Sequence, residues 1–143
     1  MPKPTTVLCF DYGLTQIGVA VGSSQLCSAQ PLCTLSATDG TPKWEQIETL
    51  IKTWKPDRLL VGDPKHMDGS ESDMARRALK FARRLEGRFG LPIALIDERL
   101  SSFEAKQNAK AQGHSGDYKK MPIDALAAAL LLESYWAESA STG

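Results

Sequence analysis

Short continuous apolar runs give way to helical stripes along this chain, and each change of period marks an element. Val7-Leu8-Cys9-Phe10 has no polar interruption, the pattern of a strand buried on both faces. It stops at Asp11-Tyr12-Gly13, and a second β-rich run follows over Ile17-Gly18-Val19-Ala20-Val21-Gly22. The short gap, with its glycine, reads as a hairpin. A third extended stretch, about Ala29 to Leu35, continues the meander, and Pro31 assigns it an edge position because proline donates nothing to a ladder. The period then changes. Thr41-Pro42 reads as an N-cap followed by proline at the first helical position, and Trp44, Ile47, Ile51 and Trp54 keep a helical stripe until Pro56. Arg58-Leu59-Leu60-Val61-Gly62 is a further buried strand. Ser70 to Arg88 forms a long helix with Met74, Ala78, Phe81, Leu85 and Phe89 on one face, ended by Gly90. Ile93-Ala94-Leu95-Ile96 is the fifth strand. Ser101-Ser102-Phe103-Glu104 resembles a capping box opening a helix to about Gly113, and after a polar loop the last helix runs from Pro122 to about Trp136. A meander followed by strand–helix–strand crossovers predicts an α/β domain, a five-stranded mixed sheet flanked by helices. No repeat or linker divides residues 1–143, so one domain is expected.

Composition narrows the partners. The formal net charge is +0 and the pI about 6.7, so any nucleic-acid partner must be held by a local patch, since wholly electrostatic binders are strongly basic. The arginines of the long helix, Arg76, Arg77, Arg83, Arg84 and Arg88, spread too far around it to form one stripe and read as a solvated face. No apolar run reaches the roughly 20 residues that span a bilayer, and Met1 to Thr6 carries no apolar signal region, so neither membrane nor export is expected. The three cysteines, Cys9, Cys27 and Cys33, are an odd number without a CxxC pair, which suits a reduced, cytoplasmic protein. With only two histidines, a zinc site of His and Cys is not expected, and any metal must take mostly oxygen ligands.

Candidate chemistry sits at element ends. Asp11 closes the first strand, Asp97 and Glu98 close the fifth, and Asp124 opens the last helix. Taken singly, each has a plain structural reading: a turn residue, a polar strand end, a carboxylate in a first helical turn. Taken together they suggest a cluster, because strand ends and a helix start can meet at one edge of an open α/β sheet. Carboxylates crowded there need a neutralising cation, and hard oxygen ligands favour magnesium or manganese. Such ions activate water and stabilise the leaving oxygen of a phosphodiester. Strand alternation sends Asp97 and Glu98 to opposite faces and does not say which is inward.

Several spaced motifs together resemble the YqgF family. They are Phe10-Asp11-Tyr12-Gly13 through Ile17-Gly18-Val19-Ala20-Val21-Gly22, Lys55-Pro56-Asp57 through Val61-Gly62, Met67-Asp68-Gly69, Asp97-Glu98-Arg99-Leu100-Ser101-Ser102 and Ile123-Asp124-Ala125-Leu126-Ala127-Ala128-Ala129. They run in order over nearly the whole chain. The family comprises RuvC-like proteins of ribonuclease H-like fold, described as Holliday junction resolvase-like and as pre-16S rRNA nucleases. The resemblance implies that Asp11, Glu98 and Asp124 are catalytic metal ligands for Mg2+ or Mn2+. It makes Arg99, Lys119 and Lys120 candidates for phosphate contacts, and it implies processing of the 5' end of pre-16S rRNA during ribosome biogenesis. There are departures. Leu14 and Thr15 stand where members carry Thr and a basic residue, and Gly62-Asp63-Pro64 replaces a leucine before the proline. RuvC-like resolvases place an acid near this strand end, so Asp63 is either a fourth carboxylate or a turn residue.

Competing readings remain at this level. One is a non-catalytic nucleic-acid-binding or ribosome-associated factor of the same fold. Another is a junction resolvase acting on branched DNA. The third is an ATP-binding domain related to actin and the sugar kinases, which share an Asp-x-Gly hairpin but pair two domains. Nucleic acid is the expected partner, pre-rRNA before branched DNA, with ribosomal particles as a further one. The chain is read as a monomer or weak dimer, the dimer resting on an apolar patch near Tyr135 or Trp136.

Overall fold

The computed structural model describes residues 5–64, 72–98 and 123–142, with residues 123, 124 and 139–142 described by backbone alone. Its elements are β1 (Thr6–Asp11), β2 (Gln16–Ser23), β3 (Gln30–Thr38), β4 (Thr41–Pro42), α1 (Trp44–Trp54), β5 (Arg58–Asp63), α2 (Asp73–Phe89), β6 (Ile93–Asp97) and α3 (Ile123–Thr142). They form one mixed sheet of order β4-β3-β2-β1-β5-β6. β1 pairs antiparallel with β2 and parallel with β5, and β6 adds in parallel beyond β5. The apolar run 7–10 is thus central, fully buried between two layers of helix.

The sheet has six strands, one more than the hydrophobic pattern predicts. The extra one is Thr41–Pro42, which pairs with Thr38 and Ala37 of β3. These residues therefore do not start the first helix. Lys43 takes that place with extended backbone and no side-chain cap, so the proline ends an edge strand where its missing N–H costs nothing. The expected edge character of β3 holds in another form. Pro31 lies beyond the short reach of β4, opposite Ala20 and next to a register break in the ladder to β2.

The two faces of the sheet carry different helices. On one, Leu8, Phe10, Leu59 and Val61 pack with Ile47 of α1 and with Ala78, Phe81, Ala82 and Leu85 of α2. On the other, Val7, Cys9, Leu60 and Ile96 meet Ala128, Ala129, Leu131, Leu132 and Trp136 of α3. α2 begins three residues later than its periodicity suggests. The Ser72 hydroxyl accepts from the Ala75 N–H at 2.9 Å as its N-cap, and Gly90 in the left-handed region closes it. The expected helix 101–113 lies outside the described residues.

Candidate functional site

β1, β5 and β6 are parallel neighbours, so their C-terminal ends emerge along one edge of the sheet. Asp11 is the last residue of β1, Asp63 of β5 and Asp97 of β6, and Glu98 follows at once. Chain topology alone delivers these carboxylates to a common edge.

Alternation then divides them between the faces. Cys9, Leu60 and Ile96 pack against α3; Asp11 and Gly62 lie two residues further along their strands, and Glu98 lies two residues beyond Ile96, just past the end of β6. A Cβ on Gly62 would stand 2.8 Å from Glu98 Oε1 and 2.8 Å from Leu131 Cδ1, so the Glu98 side chain crosses Gly62 beside α3. Val61 packs on the α1/α2 face, and Asp63, register partner of Asp97, lies two residues beyond it. Packing thus decides between Asp97 and Glu98: Glu98 shares the α3 face with Asp11, while alternation sends Asp97 and Asp63 the other way.

Cys9 reports on the same arrangement. Burial pushes its thiol well above the ordinary cysteine range, and the Asp11 and Glu98 carboxylates push it further in the same direction. Both carboxylates therefore stand within electrostatic reach of one buried sulfur.

Asp124 is the second residue of α3. Leu131 of that helix meets Gly62 at the acidic edge. Further along, Tyr135 Oη accepts from Arg58 Nη1 at 2.6 Å and Trp136 Nε1 donates to the Ser28 carbonyl at 2.7 Å. Arg58 opens β5 and Ser28 lies between β2 and β3, both at the opposite edge. The helix therefore runs away from the acids, with its first turn, including Asp124, at the acidic end. The Asp124 side chain lies outside the described ones, and among the described residues no three His, Cys, Asp or Glu groups meet as a metal site. Arg99, Lys119 and Lys120 lie outside the described residues.

Two expectations from the sequence are corrected here. The apolar patch at Tyr135 and Trp136 is no patch: Trp136 is 9% exposed, its indole is hydrogen-bonded, and both rings pack against the α3-side core. The cations of α2 are not merely scattered either. Arg77, Arg84 and Arg88 recur at steps of seven and four residues along one face of the helix, Lys80 lies at the border of that face, and Arg76 and Arg83 lie beyond Lys80.

Beside it lies a cleft of about 340 Å³, lined by Tyr12, Asp39, Gly40, Thr41, Trp44, Arg77, Lys80, Phe81 and Arg84. Tyr12 follows Asp11 directly, and its hydroxyl donates to the Gly40 carbonyl at 3.1 Å. Trp44 stacks on Phe81 with ring centroids 5.9 Å apart, and the Arg88 guanidinium sits 4.3 Å from the Trp44 centroid.

Residues 5–138 match the model of the RuvX family, described as Holliday junction resolvase. A protein of Azotobacter vinelandii named "Putative pre-16S rRNA nuclease" is 54% identical over 138 residues, covering 96% of this chain and 97% of the relative. A Pseudomonas fluorescens protein of the same name is 56% identical over 135 residues, covering 94% and 93%. Among solved structures, Thermus thermophilus RuvC in complex with a Holliday junction substrate superposes with a TM-score of 0.60 at 16% identity, covering 96% of this chain and 97% of RuvC. That likeness establishes the RuvC-like, ribonuclease H-like fold.

Proposed function

Since the chain belongs to the RuvX family, the one its sequence motifs resemble, we propose that it is a metal-dependent nuclease that hydrolyses phosphodiester bonds in the 5' region of pre-16S rRNA. The observation that carries this reading is the pairing of Asp11 and Glu98 on one face of the acidic edge, at the end of the sheet where α3 begins with Asp124. A non-catalytic binder has no use for converging carboxylates, which repel phosphate. A carboxylate pair beside an apolar wall makes sense when a cation sits between it and the substrate.

The residues fit such a cation. Its donors are hard oxygens, Gly62 leaves space where a Cβ would press on Glu98 Oε1, and the buried Cys9 wall keeps water from one side. Asp11, Glu98 and Asp124 would hold magnesium or manganese. When bound, the metal would supply Lewis-acid activation of the phosphoryl group and of the attacking water. The protein's own part is to hold both carboxylates at fixed positions at the strand ends, while Leu131 and Cys9 exclude solvent behind them. Arg99, Lys119 and Lys120 are proposed to contact phosphates and set the register of the strand.

The names of relatives about 54% identical favour an RNA substrate. The family description favours a second reading, cleavage of branched DNA. Cleavage of a pre-16S 5' leader transcript and of a four-way DNA junction, each with magnesium, manganese or chelator, separates the two. Cleavage of neither by the wild type, where Asp11→Asn behaves identically, overturns the nuclease reading. We place the activity in the cytoplasm alongside ribosomal particles. Among the described residues no helix is long and apolar enough to cross a membrane.

A further inference from the structure

The cleft beside α2 lies at the same sheet edge as the acids but on the opposite face. Tyr12, which lines it, is the next residue after Asp11, and its ring packs on Phe81 at a centroid distance of 5.0 Å. Asp39, Gly40 and Thr41 close the cleft from the β3–β4 turn, which reaches this edge because β3 runs in the same direction as β1. A strand leaving the acidic site around Tyr12 therefore enters the cleft without crossing the protein.

Its lining is built for anions. Arg77, Lys80 and Arg84 converge on it, and Asp39 is the single carboxylate among its described lining residues. Among the described residues neither Lys80 nor Arg84 has an ion-pair partner. Arg77 pairs with Asp39 at 3.3 Å, but both side chains are substantially exposed, and such pairs hold by no more than about 1 kcal/mol. A phosphate that accepts both guanidinium forks competes readily with that contact. Burial raises the Tyr12 hydroxyl above its ordinary range and Asp39 adds to this, while Arg77 and Arg84 act in the opposite direction, which places both cations close to the cleft's inner wall.

The aromatic floor does not select a base. Trp44 has Phe81 stacked on its ring and Arg88 set over it, while Tyr12 leans on Phe81 and ties its hydroxyl to Gly40. These rings are already engaged within the protein and the lining is cationic, so the cleft reads charge rather than sequence. Beyond Trp44 the surface changes character. Lys43 and Arg88 there face Glu45 and Glu48, and the favourable path for an anion ends.

We propose that the Arg77–Lys80–Arg84 cleft is a phosphodiester subsite for the single-stranded extension of the substrate where it passes around the Asp11–Tyr12 edge. From Arg77 to Arg84 the helix rises roughly 10 Å at about 1.5 Å per residue, the length of about three phosphates at the roughly 3.4 Å per charge of a stacked strand. The site supplies grip and direction, and it holds a strand whose scissile bond is at the acidic face. This subsite rests on the nuclease reading for its purpose but not for its binding chemistry.

The test uses the full chain and a fluorescent RNA hairpin, with and without a single-stranded extension, in binding titrations over a salt series. Two pairs of neutralising substitutions are compared, Lys80→Gln with Arg84→Gln and, as the control, Arg76→Gln with Arg83→Gln, two arginines of α2 that do not line the cleft. The first pair is expected to weaken binding of the extended hairpin about tenfold or more. It should also flatten the log K against log salt slope by about 1.4, at about 0.7 per single-strand contact. The blunt hairpin and the control pair should be unaffected. Equal losses from both pairs, or no loss for the extended RNA, overturn the subsite. Hydrolysis of bis-p-nitrophenyl phosphate, too short to reach α2, is measured in parallel. Absent hydrolysis with an intact extension effect would sink the nuclease reading and leave the subsite standing.

Discussion

Glu98 lies across the bare Cα of Gly62, close enough that an added Cβ would stand 2.8 Å from its Oε1 and 3.1 Å from its Cγ. The glycine sits one residue before the end of β5, within a run that is otherwise apolar and buried, and a strand gains nothing from it locally. Its value is the space it gives to the carboxylate. Both atoms nearest to the absent Cβ, Glu98 Oε1 and Leu131 Cδ1, are ends of flexible side chains, so Gly62→Ala should fold. We expect a stability loss of about 1–3 kcal/mol, as for a methyl forced into a packed site. Cleavage should fall much further, about 100-fold, because displacing a reacting group by about 1 Å carries that penalty. Thermal unfolding and initial rates measured on the same preparation check it. A rate loss no larger than the stability loss explains would refute the positioning role.

The division of the acids between faces predicts a graded series. Asp11→Asn and Glu98→Gln should each lower cleavage by about 10³-fold, since a metal's charge stabilisation is worth several kcal/mol and each tenfold is about 1.4 kcal/mol. Asp63→Asn and Asp97→Asn, register partners directed to the α1/α2 face, should stay within about tenfold of wild type per folded molecule. Rates at saturating magnesium settle this. An Asp63 variant as inactive as the Asp11 variant would make Asp63 a member of the cluster.

How far the sequence alone leads is visible in these same residues. The buried central strands, the long helix ended by Gly90 and the acids at element ends all follow from runs and periods in the chain. β4 does not, because two residues carry no period and Thr-Pro is also a good helix start. The choice of Glu98 over Asp97 needs the packing of α3, since alternation separates the pair without naming the inward face. Gly62 escapes notice for a related reason: in sequence it is one more small residue in an apolar run, and its neighbour Glu98 is 36 positions away. The basic stripe is legible in principle, since Arg77, Arg84 and Arg88 recur at steps of seven and four residues.

Trp136 was expected to help form an exposed apolar patch and instead fastens α3 to the far edge of the sheet, with Nε1 donating 2.7 Å to the Ser28 carbonyl. Trp136→Ala should therefore cost about 3–5 kcal/mol, the range for emptying a large buried aromatic site. Trp136→Phe should cost less but leave the Ser28 carbonyl without its indole donor. Denaturant unfolding gives both values. Sedimentation of the wild type should show no dependence of its association state on this residue, and a Trp136-dependent dimer would contradict its burial.

The three thiols should react in the order of their surroundings. Cys27 is exposed on the β2–β3 connection, Cys33 is partly buried with its thiol raised by that burial, and Cys9 is fully buried beneath the acidic edge. Alkylation needs the thiolate and access to it. Iodoacetamide at neutral pH should label Cys27 within the first phase and Cys33 more slowly. Cys9 should label only as fast as the sheet opens, because burial and the Asp11 and Glu98 charges both oppose its ionisation. Mass spectrometry of timed digests reads the order directly. Early labelling of Cys9 in the folded protein would mean that solvent reaches the wall behind the carboxylates, and the packing of α3 on β1 described above would have to be wrong.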